Sequence, residues 1–158
     1  MHPNAALIEN FYSAFQHRDH ETMARSYSDS ASFGDPVFRS LDAEQVRAMW
    51  RMFCTSGNQI EVTYRDVVAD DTRGSARWEA EYRLPASGRK VHNRIRASFT
   101  FVDGLIERHE DGFNLYRWTT MALGPLGLLL GWTPLVQNRV RLQAAAQLET
   151  FRARERGS

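Results

Sequence analysis

The sequence predicts an α+β fold in which helices come first and a meander of strands follows. Apolar residues recur every three or four positions through Ala5, Ile8, Phe11, Tyr12 and Phe15, and again through Val46, Met49, Trp50 and Phe53. Beyond residue 58 the period shortens to two, as in a half-buried strand. The third observation is length: 158 residues bury one core comfortably but divide poorly into two. With no internal repeat and no linker-like tract, residues 1–158 read as a single domain.

Taken in order, the first stripe predicts a helix ending near His17. Asp19 can cap a second, short helix with Met23 and Tyr27 on its inner face and the Ser28-Asp29-Ser30 cluster at its end. Residues 31–35 then read as a strand stopped by Pro36. Asp42-Ala-Glu-Gln45 has the form of a capping box ahead of the second stripe, and Gly57 with Asn58 closes that helix. The clearest strand is Arg73–Leu84, where Ala76, Trp78, Ala80, Tyr82 and Leu84 alternate with Arg77, Glu79, Glu81 and Arg83. A turn through Ala86-Ser87-Gly88 leads into Val91–Val102, with Ile95, Ala97, Phe99 and Phe101 opposing His92, Arg94, Arg96 and Ser98. Asp103-Gly104 marks a tight hairpin, and the next strand runs from Leu105 to about Tyr116.

In that last strand Leu105 and Phe113 share a parity with Glu107, His109 and Asp111. If the two apolar residues face inward, three ionisable groups do too, and burying them is costly unless they are paired or hydrated. A polar pocket is the better expectation. The alternative is a bulge near Gly112 that turns all three to solvent, and an inward Ile106 would support it.

Residues 121–136 are apolar but broken by Gly124, Pro125, Gly127, Gly131 and Pro134, so they fall short of the roughly 18 residues a membrane span needs. They are expected to form a kinked hairpin over a pocket mouth, against a partner chain, or within the core. A long helix from about Pro134 to Arg154 follows, with Val136, Val140, Ala144, Leu148 and Phe151 as its buried stripe.

Twenty basic against nineteen acidic side chains leave a net charge of +1, which gives no overall pull toward phosphate backbones or anionic lipid. Neither nucleic acid nor membrane is an expected partner. Cys54 is the only cysteine and sits at helical spacing from Trp50, so it reads as a small buried hydrophobe rather than a nucleophile. The Met-His-Pro-Asn start lacks a signal-peptide pattern, which makes the cytoplasm the expected location. No HExxH or Cys/His spacing supports a metal, and no cofactor is expected.

The order of helix, helix, short strand ending in Asp-Pro, amphipathic helix and strand meander resembles the cone-shaped, cystatin-like fold of the nuclear transport factor 2-like superfamily. That superfamily includes ketosteroid isomerases, SnoaL-type polyketide cyclases and limonene-epoxide hydrolases. The resemblance covers residues 5 to about 116 as the core, with a C-terminal helical extension over about 117–154, and implies N-terminal helices packed on a curved, mostly antiparallel sheet. Its most specific piece is Ala31-Ser-Phe-Gly-Asp-Pro-Val37, since ketosteroid isomerases carry their proton-abstracting Asp in a similar setting. Asp35 is thereby the implied base. The isomerase's oxyanion hole needs a Tyr and a protonated Asp, but the match places Phe11 and, through Ser98-Phe-Thr-Phe101, Ala97 at those positions. Neither can donate a side-chain hydrogen bond, so the familiar steroid isomerisation is not expected. Tyr12 could substitute only if the helix were rotated by one residue. An epoxide hydrolase's Asp-Arg-Asp set would need Arg94 or Arg96, and both fall on the outward parity.

The resemblance to SnoaL-type cyclases is closer in the second half, through inward His109 and Asp111. It implies cofactor-independent acid-base chemistry on a small, apolar, carbonyl-containing molecule. In that reading Asp35 takes a proton and His109 with Asp111 returns or relays it. Phe11, Tyr12, Trp50, Trp78, Tyr82 and Phe99 line the pocket, with Asn93 and Glu107 as polar contacts. Relatives commonly form homodimers through the charged sheet face, here Arg77, Glu79, Arg94 and Arg96. The competing reading is a non-catalytic binding or dimerisation module on the same scaffold.

Overall fold

A computed structural model of the chain describes every residue except Asn58, Ala86 and Ser158. Its elements are α1 (Pro3–Gln16), α2 (His20–Arg25), β1 (Tyr27–Gly34), β2 (Leu41–Asp42), α3 (Ala43–Thr55), β3 (Glu61–Ala69), β4 (Arg73–Arg83), β5 (Lys90–Val102), β6 (Leu105–Gly112), α4 (Leu115–Leu123), α5 (Pro125–Leu130) and α6 (Pro134–Arg156). The strands form one curved sheet in the order β2-β1-β6-β5-β4-β3, antiparallel throughout except where β1 runs parallel to β6. Helices α1 and α3 cover its concave face, and together they make the α+β cone.

Local chemistry explains most boundaries. The Asp42 side chain accepts from the Gln45 backbone N–H (2.8 Å) while the Gln45 side chain accepts from the Asp42 N–H (2.9 Å), a reciprocal cap that starts α3. Asp19 caps α2 by accepting from Thr22 N–H. Asp103 and Gly104 both take positive φ (53° and 76°), as a two-residue turn between β5 and β6 requires. The Asn58 and Ala86 readings lie outside the described residues; at the ends of β4 and β5, Leu84 N–H donates to Arg89 O (3.0 Å).

Three boundaries differ from expectation. Tyr27 is not on α2 but opens β1, because α2 stops at Arg25 and the chain pairs with β6 from Tyr27 onward. The strand before Pro36 is therefore Tyr27–Gly34, and Asp35 lies just past its end. At the other end, β6 stops at Gly112 rather than near Tyr116, because the Asn114 side chain accepts from Arg117 N–H (3.0 Å) and starts α4.

The core is aromatic. Phe11, Tyr12, Phe15, Phe33, Trp50, Trp78 and Phe99 pack between the helices and the sheet, all nearly or fully buried. In α6 the expected stripe has the right phase, but of it only Leu148 is fully buried; Val136, Val140, Ala144 and Phe151 are half-buried. The helix lies along α3 and is tied down by Arg51 to Glu155 and by Arg141 Nε donating to Pro36 O (2.8 Å). Cys54 is partly buried and its thiol is pushed up to about 11 by burial, which leaves it a poor nucleophile. No helix among the described residues is long and apolar enough to cross a membrane.

Candidate functional site

The site is organised by an extra residue in β6. Phe101 pairs with Ile106 and Thr100 with Arg108, so Glu107 is the bulged residue between them. The bulge flips the parity: Ile106 faces inward before it, and His109 and Asp111 face inward after it. The alternative of a bulge near Gly112 is not met, since Asp111 and Gly112 pair regularly with Ala97 and Arg96; the bulge lies at Glu107, and its effect is to admit His109 and Asp111 to the interior rather than expel them. Glu107 is the exception among the three. Its carboxylate accepts from the hydroxyls of Ser28 and Ser30 (2.8 Å) on β1, which hold it below the usual carboxylate range, so it is not a pocket contact.

His109 is wholly buried, opposite Phe99 in the ladder, with ring neighbours Phe99 at 4.4 Å and Phe33 at 5.0 Å. Both of its nitrogens are engaged. Tyr27 Oη lies 2.8 Å from Nδ1, and Asp111 Oδ1 lies 2.9 Å from Nε2. Trp50 Nε1 donates to Tyr27 Oη (2.9 Å), so that hydroxyl directs its own hydrogen at Nδ1. The ring hydrogen then sits on Nε2 and points at Asp111. The chain of donors Trp50, Tyr27, His109 ends on Asp111 Oδ1, where Trp78 Nε1 adds a longer contact (3.4 Å). His109 therefore stands behind Asp111, and Asp111 Oδ2 carries no hydrogen bond among the described residues.

Asp35 is built on the same plan from local backbone. The Pro36 turn aims the N–H groups of Val37 (2.7 Å) and Phe38 (2.6 Å) at Asp35 Oδ1, again leaving Oδ2 without a partner among the described residues. Burial pushes this carboxyl from its ordinary 3.8 up to about 7, and the charges of Asp111 and Glu110 add to the rise against the two N–H donors. Two carboxylates, each fixed through one oxygen and without a partner at the other among the described residues, thus lie near enough for the charge of Asp111 to act on Asp35.

Tyr12 is the residue that sequence reasoning undervalued. Its ring is fully buried, and its hydroxyl has no hydrogen-bond partner among the described residues. Burial, with the nearby Asp111 and Tyr27, raises its pKa well above the ordinary value, so it stays a neutral donor. It needs no rotation of α1: with Phe11 and Tyr12 adjacent on the inner face, both rings already point inward (centroids 5.1 Å apart). A buried Tyr is usually satisfied by its surroundings, so a sequence alone does not distinguish an orphan from a paired hydroxyl.

The remaining expected residues divide between core and mouth. Phe11 packs edge to face on Trp50 and His109, Trp50 edge to face on Trp78, and Phe99 lies tilted against His109, all as core. Tyr82 and Asn93 lie toward the β4–β5 hairpin end of the sheet: Tyr82 is half-buried, and Asn93 is 9% exposed opposite Ala80. Helix α4 lies over this end, with Trp118 Nε1 donating to Tyr82 Oη (2.9 Å) and the Met121 carbonyl accepting from Arg89 Nε (2.8 Å). Two surface cavities, of about 440 Å³ beside Val68 and Arg73 and about 180 Å³ beside Glu79 and His92, lie away from Asp35 and Asp111.

The SnoaL-like domain family matches residues 8–109 of the chain. An LEH-like epoxide hydrolase of M. tuberculosis superposes with a TM-score of 0.65 at 18% identity, over 82% of this chain and 96% of its own. TerC, crystallised with polyporic acid, gives 0.64 at 16% over 78% and 100%. IdmH of Streptomyces antibioticus, a candidate polyketide cyclase, gives 0.62 at 20% over 80% and 99%. No curated protein matches the sequence. At such identities the likeness is one of fold, and about a fifth of this chain has no counterpart in these three.

Proposed function

The chain belongs to the SnoaL-like domain family, and from that premise we propose that it is a small-molecule enzyme performing cofactor-independent acid-base chemistry of the isomerase or cyclase type. The observation that carries the reading is the Asp35 carboxyl, poised at about 7 within reach of the charge of Asp111, a second carboxylate whose Oδ2 has no hydrogen-bond partner among the described residues. A general base works best when its pKa lies near the working pH, because it is then both available and willing to give the proton back.

In this reading Asp35 Oδ2 takes a proton from a carbon next to the ligand's carbonyl and delivers it to another atom of the same molecule. Asp111 Oδ2 accepts from a ligand hydroxyl, held in place by His109 and Trp78. Tyr12 donates to the carbonyl oxygen as charge develops there, the part that Phe11 and Ala97 cannot play. His109 acts as a positioning residue, since both its nitrogens are occupied. The apolar, carbonyl-bearing ligand class agrees with the aromatic surroundings and with polyporic acid, the molecule with which TerC was co-crystallised. Entry requires α4 to move and the Trp118 to Tyr82 bond to open.

One observation favours the competing reading, a binding module without chemistry: the aromatic interior is packed on itself. The two are separated by solvent-deuterium uptake into a panel of cyclic and aromatic-conjugated ketones, followed by NMR. The enzyme reading expects uptake that falls at least ~100-fold in Asp35→Asn. Line broadening of a panel member by the protein with no uptake by wild type, or equal uptake by wild type and Asp35→Asn, rejects it.

A further inference from the structure

Residues 112–148 contain three basic side chains, Arg117, Arg139 and Arg141, and no Asp or Glu. A net charge of +1 averages over this segregation and conceals it. The same segment holds most of the exposed large apolar residues. Leu128, Leu129, Trp132, Leu135 and Leu142 are 57–80% exposed.

The way α5 is seated explains why. A Cβ on Gly127 would lie 2.0 Å from the Thr119 carbonyl oxygen, and one on Gly131 would lie 2.1 Å from the Thr119 hydroxyl. Only a glycine face fits against α4, so the leucines between and around the glycines must point outward. Trp132 satisfies its own N–H on the Leu129 carbonyl (3.0 Å), which leaves the indole free to enter an apolar medium. In α6, exposed Leu135 and Leu142 stand one heptad apart with exposed Arg139 between them, apolar anchors beside a cation whose stem can snorkel. Arg89, its guanidinium against Gly124, adds positive charge at the base of the cap.

We propose that the α5–α6 cap is a docking surface for an anionic lipid membrane, on which it lies without crossing. Exposed apolar tips on a stretch whose only charged side chains between residues 112 and 148 are arginines suit the interface of such a bilayer. A second copy of the chain fits less well, because a twofold contact through this face brings arginine against arginine with no acidic partner between residues 112 and 148. The cap also lies beyond the family match, which ends at residue 109, so it is not part of the shared cup. The inference stands independently of the chemistry at Asp35, and its test reads no turnover.

The full chain is floated with vesicles of phosphatidylcholine alone and of phosphatidylcholine with phosphatidylserine. Binding is expected to the second kind only, released by high salt, and at least ~10-fold weaker in Leu129→Ser/Trp132→Ser and in Arg139→Glu. The substituted residues are exposed, and near-ultraviolet circular dichroism checks that the fold is kept; should a variant unfold, the lipid and salt dependence of the wild-type chain decides. No binding to anionic vesicles overturns the proposal, as does salt-insensitive binding to both vesicle kinds. A self-association that Leu129→Ser/Trp132→Ser dissolves, without vesicle binding, overturns it in favour of a second copy.

Discussion

Asp35 and Tyr12 are both held in states that cost stability, and the two costs are separately measurable. The Asp35 carboxyl is raised in the folded chain, so between about pH 4 and 7 the folded state binds more protons than the unfolded one. Its contribution therefore weakens as pH rises through that window, by up to about 4 kcal/mol if the whole shift applies. Asp35→Asn keeps an acceptor for the Val37 and Phe38 N–H groups and removes the charge. Urea denaturation should find it more stable than wild type by roughly 2 kcal/mol at pH 8 and nearly equal at pH 4; equal stability at both pH values would mean that the carboxyl is not raised. Tyr12→Phe deletes a hydroxyl that has no partner among the described residues. It should leave stability unchanged or higher by about 1 kcal/mol while weakening ligand turnover at least ~10-fold. A loss of stability would instead reveal a structural bond. Tyr27→Phe is the contrast: it strands Trp50 Nε1 and His109 Nδ1 together, and a loss of about 2 kcal/mol is expected in the same denaturation assay.

At the scale of elements, α1, α2, α3, α6 and the β4–β5 pair were legible because periodicity and capping are local, whereas α4 was hidden in a stretch read partly as strand. The Asp42 and Gln45 box, the Asp19 cap and the Asp103-Gly104 turn each sit where the residues say. Tyr27 and Glu107 were not legible, for one physical reason: each is decided by the partner strand. Alternation along β6 has no mark for an extra residue, so the parity flip at Glu107 appears only when Phe101 and Thr100 are seen opposite Ile106 and Arg108. Asp35 could be found from its Asp-Pro turn, His109 and Asp111 from their two-residue spacing, but the donor chain running from Trp50 to Asp111 spans three elements and leaves no local trace. The α4–α5 contact supplies an element-scale prediction. Gly127→Ala must push α5 off Thr119, so hydrogen exchange should show loss of protection in α5 with the sheet amides unchanged. Unaltered protection in α5 would mean that the glycine contact does not seat the helix.

For the whole molecule, the sheet's convex face carries Glu79 held by His92 (2.6 Å) and Arg94 (3.6 Å), with Arg77 beside Asp66 (3.8 Å). We propose this mixed-sign face for the homodimer, since alternating charges can pair across a twofold axis, whereas the arginines between residues 112 and 148 have no acidic side chain among them. Light scattering should give twice the chain mass for wild type and a lower average mass for Glu79→Arg; a monomeric wild type would reject the face as an interface. On that proposal the cap and the dimer face are separate surfaces, and neither includes Asp35 or Asp111. All of this converges chemically on one carboxyl group, and its direct titration is the sharpest test: carbon-13 NMR of Asp35, assigned by comparison with Asp35→Asn. A midpoint near 7 that falls when Asp111 is replaced by Asn is the expected result. A midpoint near 4, insensitive to Asp111, would contradict the acid-base site.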